Sequence, residues 1–277
     1  MIHSDWHIHS EYSYDASNPL DLIAERAKKQ GLRFVGITDH ANFNDKSFLG
    51  DLRASAEAVN RAREKYPNMI LGVEFTPIEK PLFDHIAKTG SRDGFIAPVQ
   101  SEPYAIELAV TKEELLKLGV RYSIGASHWR VDGPETPDFY TDVEACIREW
   151  YRQQLWLASD ERVTILGHPW YIGKALWYED LSVIPRSMNE DIASALKENG
   201  KCVECNSHFF TTDNATEKFK HQYAEFLREL FEMGIPVTYG SDSHKDYADL
   251  RTLPEKYLSE AGFVDGDISE LTENLLW

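Results

Sequence analysis

Six of the ten histidines in this 277-residue sequence stand at or just past the ends of short β-rich runs: His7, His9, His40, His128, His168 and His244. Imidazole is the commonest metal ligand and the group that titrates near neutral pH, so such a set points to metal-assisted or acid–base chemistry. His7 and His9 are two residues apart, which puts both rings on one face of a strand together with His3 and Asp5. Carboxylates accompany them. Thr38-Asp39-His40 ends the second run, Glu74 the third and Ser241-Asp242-Ser243-His244 the last, with Ser127-His128-Trp129 and Gly167-His168-Pro169-Trp170 between. Each motif alone has a plain structural reading, a hydrogen-bonded strand-end His or an Asp that caps a helix. Gathered at one end of several strands, they would bury many imidazoles and carboxylates together, which without a cation costs on the order of 1–3 kcal/mol per unpaired group. The set therefore reads as a metal site.

Positioning such a set requires strands that all end on one side. Hydrophobic patterning predicts strands over residues 3–9, 33–38, 69–75, 121–126, 163–166, 201–206 and 236–239. Between them lie amphipathic stretches. The first starts at Asn18 as N-cap, with Pro19 at the first helical position, and stops at Gly31; others cover 51–65, 111–118, 138–159, 187–199 and 215–233. Gly119, Gly200 and Gly234 stand where helix C-caps belong. Seven βα units with no two strands in succession predict an α/β fold, a parallel sheet closed into a barrel whose site lies at the C-terminal ends of its strands. An open doubly wound sheet satisfies the same alternation. No shift of composition divides the chain, so one domain over residues 1–277 is expected. Residues 79–101, rich in Pro and Gly, read as an irregular rim loop or lid, or a surface excursion, and 171–187 as a second loop.

Composition narrows the classes. The sequence has 29 Lys and Arg against 46 Asp and Glu, a net charge of −17, so extended nucleic acid is not an expected partner. At 42% hydrophobic and 12% aromatic it can bury a full core. No apolar run reaches the roughly 18–20 residues that span a bilayer, and no basic-then-apolar leader opens the sequence, so no membrane association is expected. Three cysteines, Cys146, Cys202 and Cys205, suit a reducing compartment, and a cytoplasmic location is expected. Cys202 and Cys205 would face opposite sides of one strand and read as packing residues. Nothing here bears on oligomeric state.

Taken in order, His7-Ile8-His9, Thr38-Asp39-His40, Gly72-Val73-Glu74, Ser127-His128, Gly167-His168-Pro169 and Ser241-Asp242-Ser243-His244 resemble the polymerase and histidinol phosphatase (PHP) superfamily over nearly the whole chain. The resemblance implies a distorted (β/α)7 barrel with three divalent metal ions. By it, His7, His9, Glu74 and Asp242 would hold the first ion, and Glu74 would bridge to a second held by His128 and His168. His40, His244 and Asp15 would hold the third; many stand-alone histidinol phosphatases have His at the position of Asp15. Mixed imidazole and carboxylate donors suit zinc, manganese or iron. Asp5 and Asp39 would orient imidazoles from behind or serve structure alone.

What such a site would do follows from phosphate chemistry. A metal lowers the pKa of bound water from about 15.7 towards about 7, and paired ions clamp attacking and leaving oxygens. The resemblance implies hydrolysis of a small phosphate monoester by metal-activated hydroxide; a metal-bound water, or a strand-end acid such as Asp242 or His244, would protonate the leaving alkoxide. Arg130 and Lys174 are placed to bind the substrate, or are ordinary surface charges. Trp129, Trp170, Tyr171, Trp177, Phe209 and Phe210 would stack on a planar substrate or pack the rim. His208, after Asn206, points toward the site without being a ligand. Histidinol phosphate, giving L-histidinol and phosphate in histidine biosynthesis, is the first expected substrate, supported by Gly125-Ala126-Ser127-His128 and Val203-Glu204-Cys205-Asn206. Asp15, and no Arg soon after Asn206, depart from that branch. A nucleotide or short oligonucleotide phosphoesterase is the alternative, followed by an amidohydrolase-type hydrolase and an inactive metal-binding module.

Overall fold

A computed structural model describes residues 1–41, 50–128, 142–171, 179–271 and 276–277 of the chain. Ten strands are described: β1 (Asp5–Ile8), β2 (Val35–Ile37), β3 (Met69–Leu71), β4 (Glu74–Phe75), β5 (Ile78–Glu79), β6 (Ile106–Glu107), β7 (Ile124–Gly125), β8 (Ile165–Leu166), β9 (Cys202–Asn206) and β10 (Val237–Gly240). The helices are α1 (Leu20–Gln30), α2 (Gly50–Ala62), α3 (Lys80–Thr89), α4 (Lys112–Leu118), α5 (Val143–Ser159), α6 (Arg186–Glu198), α7 (His208–Thr211), α8 (Glu217–Glu232) and α9 (Thr252–Glu260). Each of the seven expected strands is present: 69–75 as two pieces, 236–239 shifted by one residue to Val237–Gly240, and the others in shortened form.

Two parallel sheets, ordered β1-β2-β3 and β10-β9-β8-β7-β4, make the frame. They are joined at both seams. At the first, the expected strand 69–75 breaks at Gly72-Val73, and its two halves belong to different sheets. Gly72 N still donates to Ile37 O (2.8 Å), whereas Arg121 N and Ile124 N donate to Leu71 O (2.9 Å) and Val73 O (2.8 Å). At the second seam, Asp242 N donates to His7 O (2.7 Å) and His9 N to Ser243 O (3.0 Å), which ties the end of β10 to β1. The frame is the expected α/β class, a distorted barrel of parallel strands whose two sheets are tied to each other by these bonds. The second seam lies at the C-terminal ends of β10 and β1, where His7, His9 and His244 are.

Local chemistry explains the elements. Thr111 and Glu114 form a reciprocal capping box at the start of α4, and Gly119 ends it at φ 80°, a left-handed conformation that costs glycine no Cβ clash. Ile23, Ala27 and Val59 turn the apolar stripes of α1 and α2 onto Val35, Ile37 and Leu71, all buried in the main core. A second cluster joins Trp6, Ile70, Tyr122, Ile124, Ile165 and Cys202. In it the Tyr122 hydroxyl donates to Trp6 O at 2.6 Å. Gly36 leaves that hydroxyl its room, since a Cβ there would lie 1.8 Å from it. Cys202 belongs to this cluster and Cys205 to the main core, so the two thiols do face different sides.

Three expectations are corrected. Asn18 does not cap α1: its side-chain amide donates to His9 O (3.1 Å) and Ser243 O (3.0 Å), and its Oδ1 accepts from Tyr247 N (3.0 Å). The residue spans the second seam instead, and Pro19 in extended conformation precedes the helix. Residues 79–101 are not irregular throughout, because β5 pairs antiparallel with β6 and the ten-residue α3 follows. The chain also forms α9, which the hydrophobic pattern did not announce.

Candidate metal centre

Glu74 is the hub. Its buried Oε2 stands 3.4 Å from His7 Nε2, 3.2 Å from His9 Nε2 and 3.0 Å from His40 Nδ1. Its Oε1 stands 3.2 Å from His168 Nε2 and 3.5 Å from His128 Nε2. The break after β3 makes this possible, since it starts β4 at Glu74 and brings that residue opposite His40 in an isolated parallel bridge. Asp242 completes the first group, with Oδ1 3.4 Å from His7 Nε2 and 3.3 Å from His9 Nε2. Asp15 Oδ2 lies between His40 Nε2 (3.3 Å) and His244 Nε2 (3.5 Å). The structure thus brings together all nine side chains expected as ligands.

The rings are held from behind. Nδ1 of His7 meets Glu204 Oε1 at 2.6 Å, Nδ1 of His128 meets Thr76 Oγ1 at 2.7 Å, and Nδ1 of His244 meets Asp242 O at 2.9 Å. Each of these contacts leaves Nε2 facing inward. Asp5 and Asp39 bond no imidazole among the described residues, so of their two expected roles it is the structural one that the contacts match. Asp5 accepts from Ser241 N (2.9 Å) and the Tyr247 hydroxyl (3.1 Å), and Asp39 from Ser10 N, Ser10 Oγ and Ser55 Oγ, each at 2.6 Å. They brace backbone N–H groups and side-chain hydroxyls, not imidazole. Glu204 and Thr76 were missed as functional residues. A lone carboxylate among Val203, Cys205 and Asn206, in a strand wholly buried, is the signal that would have found Glu204.

The donor set fits divalent cations. Oε2 of Glu74 and Nδ1 of His168 are buried without a hydrogen-bond partner among the described residues. His7 Nε2 and His9 Nε2 face each other at 3.1 Å. Three groups, His7/His9/Asp242, Glu74/His128/His168 and His9/His40/His244, each gather one donor atom per residue within 4.8 Å. Converging imidazole nitrogens and carboxylate oxygens of this kind satisfy a mixed N/O metal site.

Without an ion the charges hold one another. Burial opposes ionisation of Glu74, but His40, His7 and His128 outweigh it and keep the carboxyl well below its usual range. Burial also opposes a charge on His40, yet Glu74 and Asp15 raise it to about 10. His7 is raised well above its ordinary value in the same way, against burial, by Glu204, Asp242 and Glu74. His128 goes the other way: burial, with His168 and His40 adding repulsion against the pull of Glu74, takes it down to about 3. Burial resists the ionisation of Asp242 too, and His7 and His9 overcome it.

The groups open into a cavity of about 330 Å³ whose wall includes Tyr14, Tyr171, His208 and Phe209. His208 therefore faces the site, as expected. Of the aromatic residues expected at the rim, Tyr171 and Phe209 line this cavity, whereas Trp170 packs on Tyr223 and Phe226, and Phe210 on Tyr223 and Tyr257. Arg130, Lys174, Trp129 and Trp177 lie outside the described residues.

Comparison with known proteins agrees with this geometry. The PHP domain family model matches residues 5–208. A probable phosphatase of Acetivibrio thermocellus is 25% identical over 244 residues, 87% of this chain and 78% of that protein. Histidinol phosphate phosphatase of Lactococcus lactis, solved with zinc, L-histidinol and phosphate, superposes at a TM-score of 0.65 with 20% identity, covering 94% of each chain, and shares the fold. The chain belongs to the PHP domain family.

Proposed function

We propose that this protein hydrolyses a small phosphate monoester, with L-histidinol phosphate as the first substrate to test, and that residues 1–277 act as one catalytic unit. The observation that carries the reading is the five ring nitrogens, from His7, His9, His40, His128 and His168, that stand within 3.5 Å of the Glu74 carboxylate. His7, His9, Glu74 and Asp242 would hold one divalent ion, Glu74, His128 and His168 a second, and Asp15, His40 and His244 a third, with zinc, manganese and iron all suited to the donors. Bound ions supply a nucleophile near neutral pH and positive charge for the phosphoryl oxygens.

The side chains do the rest. Glu74 spans two groups with its two oxygens and so sets their separation. Asp242, kept ionised by His7 and His9, acts as an acceptor rather than as an acid. His244 has its Nδ1 on Asp242 O, so a neutral ring offers a lone pair at Nε2 beside Asp15. That favours His244 as a ligand, since Nε2 cannot ligate and donate a proton at once. Tyr14, Tyr171, His208 and Phe209 form a small polar–aromatic wall that suits a compact leaving group, with Arg130 and Lys174 as the cations proposed to reach it. The three cysteines are buried free thiols, which supports a reducing, cytoplasmic setting. The test is phosphate release from histidinol phosphate by zinc- or manganese-loaded protein beside a chelated control. Metal-dependent turnover is expected. No turnover with ions verified in place removes this substrate, and inactivity across phosphate monoesters, nucleotides included, removes the reading.

A further inference from the structure

Glu204 is 1% exposed, sits in the middle of β9 and touches both halves of the site. Its Oε1 meets His7 Nδ1 at 2.6 Å, and its Oε2 accepts from His168 N at 2.6 Å and from Asn206 Nδ2 at 3.2 Å. A carboxylate only accepts, so the hydrogen on His7 is at Nδ1, and Nε2 is the atom left for Glu74, His9 and Asp242. His168 adopts φ 23°, a left-handed backbone for a residue with a side chain, and its N–H is the group Glu204 holds. Asn206, two residues on and on the same face, donates from one amide nitrogen to Glu204 Oε2 and to Asp242 Oδ2, each at 3.2 Å. The neighbouring strand makes room for the carboxyl: a Cβ on Gly240 would lie 2.0 Å from Glu204 Oε1 and 2.6 Å from His7 Cβ.

We propose that Glu204 is a positioning residue for two ion sites at once, setting the donor atom of His7 in one and the backbone turn that carries His168 in the other. This rests on the metal-site reading above. One side chain then couples ligands from the first and fifth of the expected strands, and the two sites gain or lose their geometry together.

Glu204→Gln tests it, because the amide keeps the volume yet offers one acceptor oxygen where His7 Nδ1 is held by one carboxylate oxygen and His168 N and Asn206 Nδ2 by the other. If the amide oxygen serves His168 N, its NH2 faces His7 Nδ1 and drives the ring hydrogen to Nε2; if it serves His7, the His168 turn loses its acceptor. Zinc titration of wild type and variant, with circular dichroism of both, is read beside long-range proton–nitrogen spectra of the zinc-loaded histidines. The expected result is a folded variant with zinc affinity about 10–100-fold weaker, activity recovered by raising zinc, and a changed His7 pattern. Equal zinc number and affinity in the two proteins overturns the proposal. A wild type that binds no zinc, manganese or iron instead overturns the metal-site reading itself. Should the variant not fold, the zinc-loaded wild type decides: hydrogen on His7 Nδ1 supports the proposal, and His7 bound through Nδ1 overturns it.

Discussion

The ring nitrogens Nε2 of His7 and His9 face each other at 3.1 Å, and the Glu74 and Asp242 carboxylates close on the same point. Only one of the two nitrogens can carry a hydrogen along that line, so the pair presents at least one lone pair toward a centre bounded by carboxylates. Glu74→Gln removes the charge and keeps the shape. Loss of several kcal/mol of transition-state stabilisation, about 10³-fold or more in rate, is expected. Turnover measured beside metal content checks it, with both expected to fall.

Removing the ions should make stability depend on pH in a particular sense. His7 and His40 have raised values in the ion-free protein, His40 at about 10, against an ordinary 6.5. A raised folded value binds protons more tightly than the unfolded chain, so this stabilisation is complete below pH 6.5 and is lost as pH rises toward the folded value. The Cys202 thiol, pushed up to about 12 by burial, adds to the loss above its ordinary 9.0. The lowered carboxylates Glu74 and Asp242 are ionised in both states over this range and add no slope. Thermal melts of chelator-treated protein should therefore show Tm falling from pH 6.5 to 9. A flat or rising profile would contradict the charge arrangement.

His244→Gln separates two roles of one ring. As a ligand beside Asp15 and His40, its loss lowers the ion count and the rate together. As a proton donor, its loss would lower the rate with full ion content and remove the alkaline limb of the pH–rate profile. The bond from Nδ1 to Asp242 O leads to the first outcome, read by elemental analysis beside kinetics.

Gly36→Ala probes the frame beneath the site. The added Cβ would meet the Tyr122 hydroxyl at 1.8 Å and Trp6 O at 2.9 Å, and overpacking of this kind costs about 1–3 kcal/mol. Tyr122→Phe removes the nearer atom and also the hydrogen bond to Trp6 O. The double variant should lose less stability than the sum of the singles, as coupled neighbours do, and denaturant melts of all four proteins measure the difference.

Much of this architecture can be read from residue order. Strand-end histidines and the alternation of strands with amphipathic stretches lead to a parallel α/β frame with a cluster at one end of its strands, because both follow from periodicity and motif spacing; the full set of nine side chains, Asp15 included, is what the PHP resemblance implies. What is harder to read depends on long-range partners. Asn18 has the residue type and place of an N-cap, yet its amide is taken by His9 O and Ser243 O, a contact across 225 residues to the latter. Pro81 and Gly90 suggest a loop by composition, but they sit in the first turn and at the left-handed cap of α3, where helices use them. Glu204 stands in the stretch Val203-Glu204-Cys205-Asn206, which resembles the histidinol phosphatase branch but gives the carboxylate no role. Its role appears only when β9 is laid beside His7 and His168, which the sequence places 197 and 36 residues away.

The second seam also sets an order of events during synthesis. His7 and His9 leave the ribosome first, but their partner Asp242 and the third group's His244 follow β10. At about 5–20 residues per second, the nascent chain exposes half of a ligand set for many seconds before the other half exists. Glu74, His128 and His168 can gather once β9 and Glu204 have emerged, whereas the other two groups wait for residue 244. Translation therefore orders the completion of the three groups: those that need Asp242 and His244 are assembled last.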